Sequence, residues 1–140
     1  MSVMIRASLT TQRQAVALAS AMLQDDPGAT VGDFLGVVIG AYAQRVGARV
    51  VIPPPTVLTG EPRGRRVDLV TALTRQGDWF VSARPDLVKA IDALKERTGL
   101  TTVELYAVAV DHLWAEVCGP DAERWERTRR AEAAGCAAAA

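Results

Sequence analysis

Few of the side chains that ordinarily carry catalysis stand together in this sequence. His112 is the single histidine, with no ligand partner nearby, and Cys118 and Cys136 make neither a disulfide framework nor a metal spacing. Asp25 and Asp26 read as a helix end facing water, and no glycine-rich phosphate loop follows a strand. These residues predict no enzyme, no cofactor and no bound metal, and make His112 and Cys118 details of the last helix. Arginines offer more chemistry. Glu61-Pro62-Arg63-Gly64-Arg65-Arg66 reads as an exposed basic turn, from which Arg63, Arg65 and Arg66 can reach phosphate or the minor groove of DNA, or simply stay solvated.

Formal net charge is zero, so contact with a polyanion has to come from local asymmetry. Residues 1–47 carry three Arg against three Asp, and residues 48–78 carry five Arg against three acids. Four basic residues face six acidic ones over residues 79–119, and the remainder is balanced at four against four. The middle stretch is the basic part, and the second half is the weaker candidate for phosphate contact.

The elements that position these residues emerge from periodicity. In residues 2–9, Val3, Ile5, Ala7 and Leu9 alternate with Ser2, Met4, Arg6 and Ser8, the period of a half-buried strand. Thr10 or Thr11 is the expected cap of a first helix, whose apolar positions are Ala15, Val16, Leu18, Ala19, Met22 and Leu23 and which ends near Asp25. Pro27 and Gly28 break the chain, Thr30 with Asp33 resembles a capping box, and a second helix follows from about Val31 to Val46. At 140 residues, rich in Ala, Val and Leu and poor in aromatics, the chain is predicted to be mostly α, with room for two very small units sharing a core but not for two ordinary domains.

The same order returns from Trp79. WFVSA is a short extended run, Pro85 suits a helix first turn, and Leu87, Val88, Ile91 and Leu94 mark the buried stripe. Gly99 stops that helix, Thr101 and Glu104 make a second capping box, and a last helix carries Leu105, Val108, Ala109, Leu113 and Val117. Shifting the first unit by 71 residues pairs Gly28 with Gly99, Thr30 with Thr101, Asp33 with Glu104, Phe34 with Leu105, Val37 with Val108 and Ile39 with Val110. Upstream of Gly28 the register slips by a few residues, so strand and first helix match in type and order only. The organisation expected is a first unit over 1–47, a Pro-rich basic connector over 48–78 with a short helix near 67–76, a second unit over 79–119, and a charged, then Ala-rich tail over 120–140. At roughly 3.3 Å per extended residue the connector spans more than a small domain, so its length leaves open whether the units pair within one chain.

The stretch Gly99-Leu100-Thr101-Thr102-Val103-Glu104-Leu105-Tyr106-Ala107-Val108-Ala109 resembles the turn and second helix of the ribbon-helix-helix family of DNA-binding proteins: a glycine, one residue, a Ser or Thr cap, then a Glu followed by an apolar pair. The resemblance covers residues 79–118 and, less closely, 2–46. It implies a tandem ribbon-helix-helix fold, β-α-α twice, in which two strands pair as a pseudo-dimer and lie in the major groove, where each base pair displays a distinct donor and acceptor pattern. Double-stranded DNA is the implied partner, with homo-oligomers placing ribbons on adjacent sites. The implied role is a transcriptional repressor or a plasmid or phage DNA-processing accessory factor.

Under that resemblance the alternation turns Val3, Ile5, Ala7 and Leu9 to the helices and leaves Met4, Arg6 and Ser8 for base edges, Arg6 foremost because Arg can contact guanine bidentately. In the second strand Trp79, Val81 and Ala83 turn inward, leaving Ser82 and Arg84 for bases. Phe80 either meets a thymine methyl or belongs to the core with inverted parity, and the core placement is preferred. Thr30 and Thr101 open the second helices, where free amides and the helix dipole can hold phosphate as well as being capped. Gly32, Gly36 and Gly40 recur on one helical face, and a close crossing of the two second helices would compensate their cost.

Two rival functions use the same fold: a protein-interaction or assembly module without strong DNA contact, and an antitoxin whose tail around Trp125 binds a partner protein. MSVMIRASLT has no basic region followed by an apolar stretch, and the longest apolar run, Phe34 to Ala43, falls short of the roughly 20 residues a bilayer span requires. A protein without membrane contact, in a reducing cytoplasm, is expected.

Overall fold

The structure, a computed structural model, describes residues 2–55 and 68–117. In chain order these form β1 (Ser2–Ile5), α1 (Leu9–Asp25), α2 (Val31–Arg45), α3 (Leu69–Leu73), β2 (Trp79–Ser82) and α4 (Pro85–Thr98), followed by α5, helical over residues 102–117. The chain is mostly α, and its sheet has two strands, β1 and β2, paired antiparallel. Strand, helix, helix thus occurs twice, and the two strands come from opposite halves of one chain.

Local chemistry explains where each helix starts and stops. Ser8 caps α1 by accepting a hydrogen bond from the Thr11 amide at 3.2 Å. Thr30 and Asp33 form a reciprocal box at the head of α2, and Thr101 and Glu104 repeat it at the head of α5. Pro85 occupies the first turn of α4, where its missing amide hydrogen costs nothing. That helix closes on Gly99 at φ 73°, a left-handed conformation that favours glycine.

The shift of 71 residues reappears as a burial pattern. Helix α2 buries Phe34, Leu35, Val38 and Ile39, while α5 buries Leu105, Tyr106, Ala109 and Val110 at the equivalent positions. Val3, Ile5, Trp79 and Val81 from the inner face of the ribbon join the same core, with Leu87, Ile91 and Leu94 of α4, Leu18 of α1 and Leu73 of α3. Each large apolar side chain so enclosed contributes about 1.5–3 kcal/mol, which is what holds a four-residue strand pair in place. Gln14 on α1 reaches Asp111 on α5 at 2.8 Å, and Arg97 at the end of α4 donates to the Val46 carbonyl at the end of α2 at 2.7 Å. Both bonds cross between the two units.

Several expectations change. The strand stops at Ile5, and Ser8 rather than Thr10 or Thr11 caps α1. Leu9 is therefore the first helical residue and 61% exposed instead of facing the core, because the period of two ends before it. Val108 and Val117 also face outward, as does Val37, the counterpart of Val108. The glycine face of α2 does not mark a helix crossing: a Cβ on Gly36 or Gly40 would meet Ile52 at 3.6 or 3.4 Å, so the chain after α2 folds back over this stripe. The short connector helix is present as α3, capped by Asp68 and packed on α1 and α2.

Candidate nucleic-acid interface

The register of the ribbon places Ser2 opposite Ser82, Val3 opposite Val81, Met4 opposite Phe80 and Ile5 opposite Trp79. Side chains alternate across the sheet, so Ser2, Met4, Phe80 and Ser82 share the outer face. Phe80 is 67% exposed, which overturns its expected place in the core: Trp79 and Val81 take the inward positions, and parity leaves Phe80 outside.

Pairing and caps together locate a pseudo-twofold axis. The cap of α1 is Ser8 and that of α4 is Arg84, a separation of 76 residues that also relates Val3 to Trp79 and Ile5 to Val81. Under this shift Met4 corresponds to Phe80, its own cross-strand partner, so the axis passes through that pair. The difference from the shift of 71 farther along has a simple origin. Helix α1 has 17 residues against 14 in α4, and the turn that follows runs over 26–30 instead of 99–101, two residues longer.

The two ends of the ribbon are chemically unlike. One end carries the hydroxyls of Ser2 and Ser82; beyond the last pair at the other, Arg6 donates through Nε to Asp78 Oδ1 in an ion pair. This bond, more than charge proximity, holds the Asp78 carboxyl below its usual range and raises the Arg6 guanidinium further. Sequence reasoning did not find Asp78, because nothing local to Gly77-Asp78 shows which residue lies across the strand.

The other candidates have different surroundings. Ser8 is occupied in capping α1, and Arg84, at the cap of α4, donates to the Pro54 carbonyl at 3.2 Å. Thr30 accepts from the Asp33 amide at 3.1 Å and donates its own amide to the Asp33 carboxylate at 3.0 Å. Both corresponding distances at Thr101 and Glu104 are 3.2 Å. Each box leaves the first two helical amides, those of Val31 and Gly32 in α2, without an intrahelical acceptor. The α2 terminus adjoins the ribbon, since a Cβ on Gly32 would lie 3.8 Å from the Ser82 carbonyl, and Thr30, Gly32, Phe80 and Ser82 line one open groove. Met4, Ser82, Thr30 and an Arg6 held by Asp78 are thus grouped around the ribbon, whereas Arg63, Arg65, Arg66 and Trp125 lie outside the described residues.

In the core two polar atoms, Trp79 Nε1 and Tyr106 Oη, are buried with no hydrogen-bond partner among the described residues. Burial pushes the Tyr106 phenol well above its ordinary value. His112 packs against Tyr42 with ring centroids 6.0 Å apart. No described helix is long and apolar enough to cross a membrane. Comparisons with protein-family models, curated proteins and solved structures returned no match.

Proposed function

We propose that this chain is a sequence-specific double-stranded DNA-binding protein of the ribbon-helix-helix kind, in which one polypeptide supplies both halves of the pseudo-dimer. The supporting observation is the antiparallel pairing of β1 with β2, its outer face exposing Phe80 among the described residues and its Ser82 end beside the α2 terminus. A two-stranded ribbon of this size fits the major groove, and the neighbouring helix amides are suited to a flanking phosphate. In this reading Ser2, Met4, Arg6, Phe80 and Ser82 face bases, while Thr30 and Thr101 anchor the backbone. Its role is a cytoplasmic repressor or DNA-processing accessory factor, and no catalytic step is assigned to it. Recovery of host-element DNA fragments by the purified protein, sequenced and repeated across salt concentrations, tests the proposal. Enrichment of one short motif with affinity falling steeply with salt supports it, and uniform weak recovery counts against it.

A second reading, an assembly module, draws on the centre of the same face. Met4 and Phe80 are apolar, and the arginine at the ribbon end is held by Asp78. Self-association that Phe80→Ser abolishes, in the absence of motif enrichment, would favour it.

A further inference from the structure

Resting on the DNA-binding proposal, we infer that the ribbon reads the centre of its site through thymine methyl groups, with Phe80 as the specificity-determining residue and Met4 as its partner. The two side chains lie directly opposite each other on the pseudo-twofold axis, Phe80 largely exposed and Met4 half-buried. Phe80 has no hydrogen-bonding atom, and the Met4 thioether is at most a weak acceptor. Major-groove edges present polar donors and acceptors at every base pair, and the one apolar feature among them is the C5-methyl of thymine. An apolar pair at the ribbon centre therefore finds no apolar contact at a G·C step and finds the thymine methyl at an A·T step. On one side of the pair, Ser82 and the head of α2 line the same groove as Phe80, so a hydroxyl and helix amides lie next to the apolar centre. Because the ribbon ends differ, Ser2 with Ser82 at one and Arg6 with Asp78 at the other, the thymine-bearing centre sits between unlike flanks.

The test uses the full chain and the duplex motif it selects from random DNA. Each thymine is replaced in turn by deoxyuridine, which removes the methyl and leaves base pairing unchanged. Loss of one methylene-sized contact corresponds to roughly a fourfold weakening, expected at one or two central positions and not at the flanks. Phe80→Ala should bind the thymine duplex several-fold more weakly and show no further loss with deoxyuridine, whereas Phe80→Leu retains part of the methyl effect; circular dichroism confirms that both variants fold. A selected motif whose centre lacks thymine, or a central thymine replaced without effect, overturns the inference while leaving DNA binding intact. Absence of any selected motif overturns the DNA proposal itself, and the inference with it.

Discussion

At the scale of single residues, the decisive feature of the ribbon is that its most useful cation is engaged. Under the DNA-binding proposal Arg6 would contact guanine, but Asp78 holds it across the end of the strand pair. Asp78→Asn should strengthen DNA binding, most visibly at low salt, with thermal stability unchanged because both partners are exposed and solvent screens their attraction. Weaker binding by this variant would mean that Asp78 positions Arg6 instead of restraining it. Arg6→Ala should weaken specific binding far more than Arg84→Ala, since Arg84 donates to the connector at the head of α4. Equal, negligible effects in a fluorescence titration would remove Arg6 from the readout.

Another residue-scale consequence lies in the core. Tyr106 is 2% exposed, and its hydroxyl has no partner among the described residues. Replacement by Phe removes a buried polar group that hydrates well in the unfolded chain, so Tyr106→Phe should match or exceed the wild-type melting temperature, against the usual penalty for a core change. The phenol also links stability to pH. Its folded value lies above the unfolded value of about 10, so below pH 10 both states hold the proton and stability is independent of this group. Above that pH the unfolded chain ionises first, and stability falls as pH rises. Denaturant melts at pH 9 and pH 11 should show a loss that Tyr106→Phe lessens.

At the scale of elements, the heads of α2 and α5 are strong local signals. Thr30→Ala and Thr101→Ala should each cost about 1 kcal/mol in a chemical melt, the usual worth of a lost cap. Both boxes were legible in the sequence because they join residues three apart, as were the Pro85 start and the Gly99 stop. The glycine stripe was legible as an anomaly, but what covers it was not. Ile52 sits at ordinary contact distance from a Cβ built on Gly36, so Gly36→Ala should raise stability by about 0.5–1 kcal/mol through helix propensity and a less flexible unfolded chain. Destabilisation would show that the strand of chain around Ile52 cannot yield even slightly.

The whole molecule follows from joining both strands in one polypeptide. A ribbon made by two chains would melt at a temperature that rises with protein concentration, whereas pairing of Ser2–Ile5 with Trp79–Ser82 within one chain is unimolecular. The melting temperature should therefore stay constant over a hundredfold range of concentration. A steady rise would indicate strand exchange between chains. Covalent linkage also permits what a symmetric dimer cannot: one unit carries Arg6 where the other carries Ser82, and Ser2 in the first corresponds to Asp78 in the second. Under the DNA-binding proposal such a chain would address a non-palindromic site.

What the sequence by itself determined is local: a strand near each unit's start, four longer helices with the capping boxes of α2 and α5 and the breaks between them, and the repeat that relates those two. These depend on alternation, on helical period and on hydrogen bonds between residues three or four apart. Tertiary structure alone decided the rest. WFVSA is nearly all apolar, so its pattern admits either parity, and only its pairing with β1 over the common core sent Trp79 inward and Phe80 out. The Arg6–Asp78 pair and the cover over Gly36 and Gly40 likewise arise where distant segments meet. Such meetings depend on how the chain closes upon itself, and no short-range periodicity encodes them.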